Sequence, residues 1–194
     1  MKGDTKKQDA KGALSHEDKQ QLLQMSEISL WLDTYDDIFS DFDPRPYSQR
    51  GLSQDFLGEA QRASRDKASG EIELKLLIPA SKRSVGQEIM IRKRLREHFR
   101  KHLNLVRREF KKTIRRGFLF TVFGILLMFI ATYVLFEYSG ASLFTSFLIV
   151  FLEPAGWFLF WTGLDLIMFE SKKIKPDLEF YEKMSKCEIR FLSY

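Results

Sequence analysis

The chain has 194 residues, a formal net charge of +5, one cysteine and 44% hydrophobic residues. One cysteine excludes an intrachain disulfide framework and fits a reducing compartment. The near-neutral mean hydropathy averages a very polar part with a very apolar one, so a single uniform soluble domain is excluded and room remains for one small domain outside a membrane.

Residues 1–25 mix Lys, Asp, Gln, Gly and Ser, which predicts a disordered tail. Met1 to Gln21 lacks an apolar core segment, so no cleavable signal peptide is expected and the first span must act as its own insertion signal. Residues 26–83 read as a small cytoplasmic α/β unit. Ile28 to Leu32 alternates and predicts a short strand. Asp33 to Ser48 carries two prolines and crowded aspartates, an ordered loop that Tyr35, Phe39, Phe42 and Tyr47 would hold down. Ser53 is a good N-cap for a helix from Gln54 to Ser64 with Phe56, Leu57 and Ala60 inward. Glu71 to Ile78 is the clearest strand, with Ile72, Leu74, Leu76 and Ile78 on one face, ended by Pro79. Two strands are marginal alone; the loop and helices must cover them, or another subunit must complete the sheet.

Residues 84–116 predict a basic stalk helix. No proline lies between Pro79 and Pro154, so it can run unbroken into the membrane. From Glu27 to Asp66 there are nine acids and four bases, while Arg92 to Arg116 holds twelve bases against Glu97 and Glu109. Arg107, Arg108, Lys111, Lys112, Arg115 and Arg116 are therefore candidates for contact with anionic lipid headgroups. Nucleic acid is disfavoured because the segment leads directly into a span. The acidic stretch upstream is a third possible partner. Ile91, Leu95, Phe99, Leu103, Val106, Phe110 and Ile114 form a stripe suited either to packing on the chain's own domain or to a bundle of subunits.

Residues 117–136 and 143–169 are apolar and long enough to cross a hydrocarbon core ~30 Å thick at ~1.5 Å per residue. The turn at 137–142 carries no base, whereas Arg115, Arg116, Lys172, Lys173 and Lys175 flank the outer ends. The positive-inside rule then places both termini in the cytoplasm. The predicted fold class is an α+β membrane protein, a strand–helix–strand unit whose stalk continues into a two-helix transmembrane hairpin.

The second span holds a candidate intramembrane polar site. Glu153 falls near mid-bilayer, where an ionisable group is costly. Pro154 frees the Val150 carbonyl, and Trp157, Trp161 and Asp165 follow at steps of four. Gly156 and Gly163 offer a small face for close helix approach. Glu153 either lines an ion or proton pathway in an oligomer, or bonds to Thr132, Tyr133 or an indole N–H and locks the hairpin.

Asp33, Asp43, Arg45 and Arg50 form a possible ligand loop. Asp33 ends a predicted strand, and rigid backbone with two guanidinium groups suits phosphate recognition. Arg45 can equally pair with a neighbouring aspartate. His98 and His102 are four apart but sit among Arg96, Arg100 and Lys101, whose charge opposes a metal, so no metal or cofactor is expected. No catalytic motif occurs. Residues 170–194 read as an amphipathic cytoplasmic tail, lying at the headgroups or docked on the α/β unit.

Glu153-Pro154-Ala155-Gly156-Trp157, Gly163-Leu164-Asp165, Ile78-Pro79 and Arg94-Leu95-Arg96-Glu97-His98-Phe99 together resemble a group of bacterial two-span membrane proteins of no assigned function, with a cytoplasmic N-terminal domain and an acid/Pro/Gly-Trp motif in the second span. The resemblance implies a plasma-membrane protein with a cytoplasmic domain. The functional expectation is a non-enzymatic, homo-oligomeric anchor or sensor displaying a domain that binds a cytoplasmic protein or small molecule. A small channel or permeabilising effector using Glu153, and a membrane-proximal enzyme on a phosphate compound, are the alternatives.

Overall fold

The computed structural model describes residues 27–65, 67, 72–138 and 142–194. The tail over 1–25 and the centre of the predicted turn lie outside these. The chain divides into two units, one made of residues up to Phe99 together with Lys183–Tyr194, the other of Arg100–Glu182.

The first unit is built on β1 (Glu27–Trp31), α1 (Gln54–Arg65), β2 (Glu73–Ile78), the start of α2 (Val85–Tyr138) and β3 (Glu188–Ser193). The strands form one sheet in the order β1-β2-β3, and both pairings are parallel. Parallel neighbours need a crossover. The first runs through α1; the second contains every residue between Ile78 and Glu188, both spans included. The third strand was not foreseen. Residues 188–193, read as amphipathic tail, pair with β2 from Glu73↔Glu188 to Ile78↔Ser193. Of the two placements open to that tail the chain takes docking, as a strand. Six residues alternating as Glu-Ile-Arg-Phe-Leu-Ser are too few to separate a strand from a helix by pattern alone.

Register puts Ile28, Leu74 and Ile189 side by side, and Leu30, Leu76 and Phe191 one step on. These face the core with Ile78, Phe56, Ala60, Ile91, Leu95 and Phe99, all buried except the half-buried Leu30. Full burial of each large side chain contributes about 1.5–3 kcal/mol. The upper stalk stripe, Ile91 to Phe99, thus packs on the chain's own domain. On the opposite sheet face the side chains of β2 are partly buried and most of those on the outer strands are exposed. The rows on this face are Glu27/Glu73/Glu188, Ser29/Lys75/Arg190 and Trp31/Leu77/Leu192.

Ser53 caps α1 by accepting the Asp55 N–H at 3.2 Å. The loop before it is ordered, as expected: Asp37 accepts the N–H groups of Asp33 and Thr34 at 2.7 and 3.0 Å, starting a single 3₁₀ turn over Tyr35–Ile38. Tyr35 and Phe39 are buried, but Phe42 is 98% exposed and does not hold the loop down.

In the second unit α2 continues without a break, as the absence of proline predicts. It is followed by α3 (Leu143–Asp165), a π-helical turn over Leu166–Glu170 and α4 (Ser171–Lys186). Val85–Tyr138 and Leu143–Lys186 are long and apolar enough to cross a membrane, and only 11% and 6% of their most apolar windows are buried. So little burial is the opposite of a soluble core helix. Because β2 precedes the first span and β3, its sheet neighbour, follows the second, both ends of the hairpin lie on the same side of the membrane.

Candidate functional site

The hairpin is closed by glycine against backbone. A Cβ on Gly124 would lie 2.5 Å from the Phe160 nitrogen and 2.7 Å from the Gly156 oxygen; one on Gly117 would lie 2.8 Å from the Gly163 oxygen. Gly117 and Gly124 on α2 therefore meet Gly163 and Gly156 on α3. Where lipid is as apolar as the side chains, such close approach is what drives helix association. The expected small face at Gly156 and Gly163 is present. Its complement on α2 carries the same seven-residue spacing and was legible by that signal.

Glu153 borders a cleft of about 170 Å³ between the two helices, lined by Met128, Ala131, Thr132, Leu135, Ile149 and Trp157. Its carboxyl is exposed and, among the described residues, has no hydrogen bond or ion pair. The bond to Thr132, one of the alternatives open to Glu153, does not form, and that hydroxyl donates to its own helix, to the Met128 carbonyl at 2.9 Å. Neither Tyr133 nor an indole takes its place. Trp157 stacks on Trp161 at 6.2 Å, and both are about half exposed. Pro154 lies inside α3, so the Val150 carbonyl lacks its N–H partner. Asp165 is exposed and ends α3 where the π turn begins. Inserted residues of this kind often mark functional stretches of helix.

On α2, Arg108, Lys111, Lys112 and Arg115 line a concavity of about 440 Å³. Their spacing of three and four sets them on one face. Arg107 is drawn to Glu182 at 3.6 Å. Arg116 is exposed beside that face.

The possible ligand loop is paired internally. Arg45 forms a two-pronged bond to Asp43 at 2.8 and 2.7 Å, and the Gly51 N–H donates to the same carboxylate at 2.7 Å. Arg45 and these donors hold the Asp43 carboxyl well below the usual range. Arg50 donates to Asp36 at 2.6 Å and to the Ser40 carbonyl at 2.9 Å. Both guanidinium groups are thus committed to the protein's own oxygens. Asp33 bonds through its backbone, its N–H to Asp37 at 2.7 Å and its carbonyl to Lys82 at 3.1 Å, and no hydrogen bond or ion pair joins it to Asp43 or Arg45 among the described residues.

Sequence reasoning missed a network at the C-terminal ends of the strands. Glu88, 5% exposed, receives Arg83 Nε and Nη2 at 2.8 and 3.0 Å and the Tyr35 hydroxyl at 3.2 Å. Tyr35 in turn accepts the Ser84 N–H at 2.9 Å, and Arg83 reaches the Phe191 carbonyl of β3 at 3.2 Å. Hydrogen bonding from Arg83 pulls the Glu88 carboxyl below its ordinary value, and burial pushes the Tyr35 phenol up. No sequence signal joins residues 35, 83, 88 and 191. Cys187 is buried and bonds to the Met184 carbonyl at 3.0 Å, and burial raises its thiol to about 12. Among the described residues no three His, Cys, Asp or Glu side chains gather as a metal site.

No protein-family profile, no curated protein and no solved structure matches this chain. Its geometry alone carries the functional reading.

Proposed function

We propose that the protein is a non-enzymatic, oligomeric membrane anchor or sensor that holds a small α/β binding unit at the cytoplasmic face of the plasma membrane. The observation that carries this is the partly exposed face of the sheet. It ends in Trp31, 68% exposed, with Leu77, Leu192 and Tyr194 beside it, and the Tyr194 ring meets Trp31 at 4.4 Å. A partly exposed apolar row next to charged ones is the character of a surface that meets a partner. The basic residues at both outer ends of the hairpin favour the cytoplasmic side. The face of Arg108, Lys111, Lys112 and Arg115 suits anionic headgroups there.

Two measurements test the reading. Cysteines placed at Glu137 and at Ser48 in the full chain should react with a membrane-impermeant reagent from outside and only after lysis, respectively. A photo-crosslinking residue at Trp31 should capture a discrete adduct in cells, and Leu192→Ala with Tyr194→Ala should abolish it. No adduct, or one indifferent to those substitutions, removes the binding role of this face.

The unpaired, exposed Glu153 favours a second reading, a small oligomeric channel. Planar-bilayer currents that change with Glu153→Gln would support it, and a silent protein would end it.

A further inference from the structure

In the second span the Glu153 carboxyl has no hydrogen-bond partner among the described residues, and Pro154 brings no N–H to the Val150 carbonyl. In hydrocarbon each such group is costly, because no water replaces the missing donor. The threonine hydroxyls at this depth do not supply one. Thr121, Thr132 and Thr162 each donate to the carbonyl four residues earlier, at 2.9, 2.9 and 2.7 Å. Among the described residues, the donors left unspent at this depth are the indole N–H groups of Trp157 and Trp161 and the Tyr133 hydroxyl, all on exposed side chains.

From this complementarity we infer that the face of α3 bearing Glu153, Trp157 and Trp161 is a docking surface for a second copy of this chain, in which each Glu153 accepts the Trp157 N–H of the partner copy. Copies inserted the same way run parallel. A two-fold axis along the membrane normal makes their contact reciprocal. Residues on an i±4 ridge of one helix then lie between those of the other, so a carboxylate and an indole four positions apart meet twice. The stacked pair Trp157–Trp161 presents a flat, rigid aromatic face at that point. The glycine faces are already consumed inside the hairpin, so this ridge remains for association between copies. The inference rests on the oligomeric reading above and locates its interface.

The test is energy transfer between full-length copies in liposomes over a range of protein-to-lipid ratios. Copies are labelled at Ser48→Cys, since the buried Cys187 thiol does not compete. Wild type should associate. Trp157→Phe keeps a ring but loses the N–H, and Glu153→Leu loses the acceptor; each should weaken association by about tenfold, as expected for two intramembrane hydrogen bonds. The double variant should be no weaker than either single one. Glu153→Gln, whose amide oxygen still accepts, should stay within about threefold of wild type. Wild-type association that neither single variant changes overturns this interface and leaves the oligomer standing. A wild type monomeric at every ratio overturns both. Loss with Glu153→Gln equal to that with Glu153→Leu assigns the carboxylate to a cation or a basic partner helix and overturns the indole contact.

Discussion

In the sheet unit Leu74, Leu76, Ile78, Phe99 and Ile189 fill the space between strands and helices, whereas in the hairpin Gly117, Gly124, Gly156 and Gly163 bring backbone against backbone. The contrast follows from the surroundings. In water, each buried methylene is a gain, so large side chains are recruited inward. In lipid, that gain is already available at the outer surface. Phe123, Phe129, Phe147 and Phe151 point outward, and the helices close on backbone instead. Polar groups divide the same way. Glu88 is ringed by donors in the first unit, while Glu153 has none among the described residues.

The sharpest way to break the comparison is to remove atoms from one unit and add them to the other. Leu76→Ala should cost about 3–4 kcal/mol, the price of a cavity in a packed core. Phe151→Ala, on the lipid side, should cost little by the same thermal melts in detergent. Gly124→Leu should cost about 3 kcal/mol, because the helices must part to admit a side chain. Melting at or above the wild-type temperature would refute backbone contact as what closes the hairpin.

Glu88 gives the next effect. Arg83 holds its folded-state value below the ordinary 4.5, so the pair's stabilisation is present above that value and lost as pH falls through the folded-state one. Glu88→Gln should cost about 2 kcal/mol at neutral pH and flatten the acid limb of stability against pH. An unchanged acid limb would show that another carboxylate governs it. Cys187, with its thiol near 12, should resist maleimide at pH 8 in the folded protein and react on unfolding; ready labelling would mean that β3 opens easily. The smallest effect is a gain. Gly58 lies in α1 with open space around a would-be Cβ, and Gly58→Ala should add about 0.5–1 kcal/mol by the helix preference of alanine.

Some of the ion pairing was foreseeable as an alternative and some was not. Arg45 and Asp43 are two residues apart, and their pairing was weighed from the order of residues alone. The partners of Glu88 come from the turn after β1 and from the stretch after β2, and one of them, Arg83, also reaches β3. Phe42 misled because an aromatic residue in a loop says nothing of direction: Tyr47 stacks on Phe39 at 5.0 Å while Phe42 faces outward.

What the sequence determined by itself is what depends on near neighbours: the two spans from long apolar runs, the unbroken α2 from the lack of proline, β2 from its alternation, and α1 from its cap. What only the tertiary structure decided are the partners. That β3 joins β2 after the whole hairpin, that Gly124 meets Gly156, and that Glu88 is satisfied while Glu153 is not all depend on residues far apart in the chain. Local preference carries no information about such pairs, since they form only when helices and strands close on one another.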